Sequence, residues 1–420
     1  MTHRFWTLLT TAAAASLMAG GAFAADAPAP AAPATLDSWV SSIKFSGHLE
    51  VGATMNPQNP PSGIDYGHLF TDKANQIVLN QFAVTAQRDL DPKATGIDFG
   101  FKFQGMYGSD SRFTHFLGEG DHSSTSRNQF DLVEANLLAH VPVSGTGGVD
   151  VKLGQFSTPI GNEVIDPTGN FFYSHSYIFN FGIPLKHTGI LVTTHVNPIV
   201  DIYTGYTTGV NTSLGSGGGA NDGQFHFLGG FGLNLKNLTV LALTHIGPEN
   251  PAGSLPSNVI HKKYRYLNDI LVTWHVTDKL TSVTELNYIK DDGFPSGGGG
   301  VAQYLTYPMS PIVTAGVRAE VWRDNSGFWV GSYPGNQDFV NVELGLPNTA
   351  FFPGATTYGA ITVGLNIKPT KLPKMIDGLT LRPEIRYDRA LAGTRPFGYA
   401  AGGDKDEVTI GLDMVVPLAF

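Results

Sequence analysis

The sequence of 420 residues contains no cysteine, which excludes disulfide staples, thiolate metal sites and cysteine nucleophiles together. Charge is scarce: Asp, Glu, Lys and Arg make up 15% of the chain, where a soluble globular protein carries about 25%. Long apolar runs are absent as well. Beyond the first segment no stretch reaches about 18 consecutive apolar residues, so no membrane-spanning helix is expected. The formal charge of −9, with no basic stripe interleaved with aromatics, points away from nucleic-acid partners. The sequence has no His-Glu-x-x-His and no Gly-x-Ser-x-Gly, and its 13 histidines are scattered; no catalytic residue, cofactor or enzymatic activity is expected. The Gly-rich runs at 215–219 and 297–300 lack a strand-to-helix context and a following Lys-Ser/Thr pair, and read as flexible loop tips rather than phosphate loops. His115, Glu119, Asp121 and His122 share one loop, but so loose a group reads as solvated and no metal site is assigned to it.

What is present is apolar and aromatic: 42% hydrophobic residues and 11% aromatics, with a mean hydropathy of −0.02, too much for a disordered chain. Residues 1–24 have the form of a secretory signal. Met1 to Arg4 is a short basic start, Phe5 to Gly21 is apolar and small, and Ala22-Phe23-Ala24 is a small-x-small cleavage pattern. Removing them leaves 25 basic and 35 acidic residues, a net charge of −10. Residues 25–35 alternate alanine and proline, so 25–41 is read as a periplasmic linker and 42–420 as the folded unit.

From residue 43 onward the chain repeats with period two, the pattern of strands with one apolar and one polar face. Ile43, Phe45, Leu49, Val51, Ala53 and Met55 oppose Lys44, Ser46, His48, Glu50 and Thr54. Val408, Ile410, Leu412, Met414, Val416, Leu418 and Phe420 fall on one face at the C-terminus. Strands are expected near 43–56, 76–88, 96–109, 128–141, 149–157, 187–196, 199–209, 224–235, 238–247, 264–276, 280–290, 301–310, 313–324, 356–368, 379–388 and 406–420, about sixteen in all. Their connections alternate long and short. That asymmetry predicts an all-β, antiparallel up-and-down barrel in the outer membrane, with short periplasmic turns and long extracellular loops, closed so that no edge meets lipid. Interfacial aromatics support the phase: Tyr107, Tyr206, Phe225, Tyr266, Tyr288 and Tyr387 at one end, Phe45, Trp274 and Phe420 at the other. Tyr358 and Trp322 fall out of phase.

The segment Lys-Leu-Gly-Gln-Phe-Ser-Thr-Pro-Ile-Gly-Asn-Glu-Val-Ile-Asp at 152–166, with Tyr173-Ser174-His175-Ser176-Tyr177-Ile178-Phe179, Ile183-Pro184-Leu185 and His187-Thr188-Gly189, resembles the OmpL-like β-barrel porins of Gram-negative bacteria. Leu79-Asn80-Gln81 and the run from Leu381 to Asp388 share the likeness, which extends from about Phe45 to Phe420. The resemblance implies an outer-membrane channel for small solutes. It leaves the solute open, because the loops at 210–223, 291–300 and 325–355 look individual to this chain.

Sixteen strands enclose more lumen than wall side chains fill. The 29-residue connection 158–186, aromatic and carrying Glu163 and Asp166, is expected to fold inward and constrict the pore; the other reading is a lid over the mouth. Strand phase turns Lys102, Lys152, Arg318, Arg382 and Arg386 inward as cations, and Glu50, Glu134, Asp269, Glu285, Glu320, Glu384 and Asp413 as anions. Of these, Glu163, Asp166, Lys102, Lys152, Glu134, Arg318, Glu320, Arg382, Glu384 and Arg386 are the candidate constriction residues. Acids on the loop facing bases on the wall would set up a transverse field. The same side chains have a structural reading, as pairs between neighbouring strands. The net charge and the inward acids lean toward cation passage. The expected function is passive diffusion of small hydrophilic solutes or ions, with outer-membrane lipid around the barrel and a homo-oligomer, a trimer, as the assembly. The alternative is a receptor or adhesin that uses its long loops and has little or no channel activity.

Overall fold

A computed structural model describes residues 36–116, 127–213, 224–250, 255–294, 296–331, 354–398 and 403–419. Sixteen strands run in chain order: β1 Lys44–Met55, β2 Gln76–Arg88, β3 Asp98–Gly108, β4 Gln129–Val141, β5 Val149–Ser157, β6 Lys186–His195, β7 Val200–Thr207, β8 His226–Asn234, β9 Leu238–Gly247, β10 Arg265–His275, β11 Thr281–Asp291, β12 Ser296–Ser310, β13 Val313–Asp324, β14 Thr356–Ile367, β15 Thr380–Ala392 and β16 Asp406–Ala419. Each pairs antiparallel with its neighbours in sequence, and β1 pairs with β16 to close the barrel. Closure gives every wall strand a hydrogen-bonded partner on both sides, as a wall in lipid requires.

The period-two pattern settles which face is which. On β15, Ile385 and Tyr387 are exposed on the outside while Arg382, Glu384, Arg386 and Asp388 are buried inside. Phe103, Leu137, Leu153, Ile361 and Leu412 extend the same outer apolar surface around the barrel. Tyr206, Phe225, Tyr288 and Tyr387 stand exposed toward one rim, Phe45 and Trp274 toward the other; Phe420 lies outside the described residues. Trp322 and Tyr358, out of phase for an outer belt, point inward and are fully buried, Tyr358 stacking on Tyr177 at 5.1 Å.

Two expectations are corrected. The run 297–300 is not a loop tip: β12 begins at Ser296, and Gly299 and Gly300 pair with Tyr288 and Asn287 of β11. Glycine has no side chain to show a period, so the strand was invisible there. A Cβ on Gly300 would sit 2.2 Å from the Val321 carbonyl oxygen, so the close approach of β13 explains the residue. The connection from β11 to β12 shrinks to 292–295, breaking the alternation of long and short. Second, the inner face is not polar throughout. Leu191, Tyr203, Leu228, Leu243, Leu267 and Ile289 on successive strands β6 to β11 are buried inside, in one cluster with Ile160, Ile178, Phe179, Phe181 and Ile183 of the 158–185 connection. The end of the 25–41 stretch forms a short helix, Leu36–Ser41. Its Trp39 indole donates to the Phe99 carbonyl at 2.9 Å and lies under the Arg88 guanidinium. Residues 1–35, with the signal segment and the Ala/Pro stretch, lie outside the described residues, as do 117–126 with Glu119, Asp121 and His122, and the run at 215–219.

Candidate functional site

The connection between β5 and β6 lies within the barrel, because its main chain and side chains bond to inward residues of the wall on several strands. From β13, Arg318 donates to Glu163 Oε1 at 2.8 Å, to the Ser174 carbonyl at 2.7 Å and to Ser174 Oγ at 3.1 Å. Glu320 on the same strand accepts the Tyr177 amide at 2.6 Å. From β15, Arg382 donates to the Pro167 and Asn170 carbonyls, both at 2.9 Å, and Arg386 to the His175 carbonyl at 2.5 Å. Glu384 accepts the amides of Tyr173 and Ser174 at 2.9 and 3.0 Å. Gln81 on β2 reaches the Ile165 carbonyl, and Asn287 on β11 the Gly182 carbonyl. A loop without a ladder of its own thus finds acceptors and donors on the wall, which satisfies buried backbone groups that would otherwise cost about 1–3 kcal/mol each.

The wall charges that hold the loop are themselves paired. Arg382 meets Glu50 Oε1 at 2.8 Å and is also bound to Asp413; Arg386 meets Asp388 at 2.7 Å and lies 3.4 Å from Glu320. Glu163 receives the Ser176 amide at 2.8 Å and stands 3.4 Å from His175 Nδ1. Burial opposes its ionisation, but the Arg318 guanidinium, His175 and the Ser176 amide outweigh burial and hold its carboxyl down at about 2. Where the loop's rings lie against the wall, the wall has glycine. A Cβ on Gly52 would fall 2.4 Å from the Tyr173 ring, and one on Gly316 2.2 Å from the Phe171 ring.

This divides the ten candidate residues. Glu163, Arg318, Glu320, Arg382, Glu384 and Arg386 lie buried between the loop and strands β13 and β15. Glu163 and Arg318 are in contact, so they do not face one another across water. Lys102, Lys152, Glu134 and Asp166 belong to the other side. Lys102 on β3 lies 3.4 Å from Glu134 on β4 and is 15% exposed at its side chain, while Asp166 is 38% exposed and lies 3.5 Å from His48 on β1. Along the loop exposure alternates: Asn162, Val164 and Asp166 are half-buried and Thr168 exposed, while Glu163, Ile165 and Pro167 are buried. The segment bends at 165–166 into a 3-10 turn, Pro167–Gly169, and so keeps one edge against the wall and leaves the other less covered.

Asp388, Asn80, Ser174 and Tyr177 enter the sequence reading only through the family likeness and not as constriction residues, yet Asp388 accepts both the Tyr177 hydroxyl at 3.0 Å and Arg386, and Asn80 accepts the Tyr173 hydroxyl at 3.0 Å. The signal for Asp388 was present, since it continues the inward series 382, 384, 386. Among the described residues no group of three or more His, Asp or Glu side chains is arranged to hold a metal ion.

The family model described as "Putative beta-barrel porin-2, OmpL-like" matches residues 42–418. Comparison with curated protein sequences found no match. Among solved structures, OprB of Pseudomonas putida, in its high-pH structure, is similar with a TM-score of 0.54 at 16% identity, over 90% of this chain and 95% of that one. The anion-selective porin from Comamonas acidovorans is similar at 0.53 and 12%, over 90% and 99%. The outer membrane channel DcaP of Acinetobacter baumannii is similar at 0.51 and 9%, over 90% and 97%. At these identities the likeness shows the fold.

Proposed function

Because this chain belongs to the OmpL-like β-barrel porin family and is an outer-membrane porin, we propose that it carries small hydrophilic solutes by passive diffusion through a path narrowed by the 158–186 connection. The path runs along the open edge of that connection, past Asn162, Val164, Asp166 and Thr168, with Lys102, Lys152 and Glu134 on the wall of β3 to β5. Arg318, Arg382, Arg386, Glu320 and Glu384 then act from behind, holding the constriction in place. The observation that supports this most is the anchoring of the loop's main chain on the wall, because a lid over the mouth has no use for inward carboxylates that accept its amides. The role is transport, not catalysis. The same reading makes residues 1–24 a secretory signal, 25–41 a tether whose last turn rests on β3, and the working form a homo-oligomer, a trimer.

The test is conductance in planar lipid bilayers. The wild-type protein produces stepwise currents, and deletion of residues 165–180 raises the single-channel conductance in protein that keeps its heat-modifiable electrophoretic mobility. Unchanged conductance in a folded deletion variant overturns the constriction. Absence of steps from the wild type overturns the channel.

A further inference from the structure

The inward cations of the wall are not equivalent. The three arginines that hold the loop each meet a carboxylate, as do Arg88 with Asp98, Lys186 with Asp131 and Arg265 with Asp291. Lys102 shares Glu134. Lys152 alone among these has no hydrogen-bond or ion-pair partner among the described residues; its ammonium lies 5.6 Å over the Phe156 ring, on its own strand. The carboxylate nearest in register is already engaged, since Glu134 takes Lys102, the Asn136 amide at 2.7 Å and the Ser157 amide at 3.3 Å.

Register puts the two lysines side by side. Lys102 lies opposite Asn136 of β4 and Lys152 opposite Leu138 of the same strand, two residues on, so both flank β4 on its inward face. Neither is sealed from water: both stay partly exposed, unlike the anchoring arginines. On the loop side the open acid is Asp166, and His48 stands against it.

Resting on the porin reading above, we infer that Lys152, with Lys102 beside it, makes the path prefer small anions, carboxylate- and phosphate-bearing solutes among them, against the net negative charge of the chain. Charges act on a permeating ion over a Debye length of about 8–10 Å at physiological to 0.1 M salt. Acids in the outer loops are screened at that range, and acids under the loop are tied to arginine or to backbone amides. What a solute meets at the narrowing is an ammonium with a free donor, and rings or patches of lysine favour anions in pores.

Reversal potentials across a tenfold potassium chloride gradient test this. The wild type shows a chloride-to-potassium permeability ratio above one. Lys152→Met lowers the ratio at least twofold, Lys152→Glu takes it below one, and Lys152→Arg keeps it above one. Lys93→Met, in the exposed turn between β2 and β3, makes the same change in net charge and leaves the ratio where it was. A wild-type ratio below one overturns the inference, whatever the variants do. Equal shifts from Lys93→Met and Lys152→Met also overturn it. Either result still shows a conducting channel, so it is distinct from failure of the porin reading, in which no steps appear at all.

Discussion

Glu163 is the side chain on which the docked loop can be tested by a single change. Its two oxygens do different work, Oε1 accepting from Arg318 and Oε2 from the Ser176 amide. Glu163→Gln keeps the shape but replaces one acceptor with a donor, so either the guanidinium or the amide is left facing an N–H. A carboxyl brought from its ordinary 4.5 to about 2 corresponds to about 3 kcal/mol in favour of the ionised, docked form. Removing one partner of a buried pair costs about 3–5 kcal/mol, so the two routes agree. The barrel keeps its ladder and the loop keeps Arg382, Arg386 and Glu384, so the loss falls on the docked position of the loop and not on the fold. The sign with pH follows from the lowered value: the contribution is complete above about 4.5 and disappears as pH falls through about 2. Single-channel recordings of the wild type therefore stay quiet from pH 7 to 4 and become noisy only as pH approaches 2, whereas Glu163→Gln is noisy at pH 7. A quiet Gln variant at neutral pH, or a wild type that becomes noisy near pH 5, refutes the reasoning.

Two further predictions follow from the same geometry. The chain is a cysteine-free template, so single cysteines can be read one at a time: a water-soluble thiol reagent should reduce the current through Asn162→Cys, Val164→Cys and Thr168→Cys but spare Ile165→Cys, and equal labelling of all four would sink the alternating edge. On the outer surface, Ile385→Lys places a charge against lipid at mid-strand and should cost about 2–4 kcal/mol, measured by denaturant titration of folding in lipid vesicles; a cost under about 0.5 kcal/mol contradicts the assignment of that face to the membrane.

The strands were legible wherever side chains alternate in polarity, as on β1 and β16, because period two is a local property of the chain. Residues 297–300 were not, since glycine leaves no period, and the fact that makes a strand of them is the nearness of Val321. Trp322 and Tyr358 were legible only as a conflict of phase; their reason is packing inside the barrel, Tyr358 on Tyr177 and Trp322 against Gly182, and it needs a loop far away in the chain. The candidate site was read as one set of charges and is two. Whether an inward Arg touches water depends on what lies over it, and neither spacing nor phase shows that. Glu163 and Asp166 sit three apart in one loop, yet one is buried and the other partly exposed, because burial alternates from residue to residue between them.

The pairing of Arg382 also bears on how the molecule is made. Its guanidinium joins Glu50, 332 residues earlier, to Asp413 and to the carbonyls of Pro167 and Asn170. Those groups belong to the first strand, the last strand and the loop, so one side chain ties the seam where the wall closes to the segment that narrows it. During biogenesis the loop emerges with β5 and β6, long before β13 and β15 supply the side chains that receive it. A chain that has inserted only its first twelve strands has neither the seam nor the arginine anchors of β13 and β15. Closing the cylinder and setting its aperture are then one late event in assembly, and a barrel that fails to join its ends fails to set its bore.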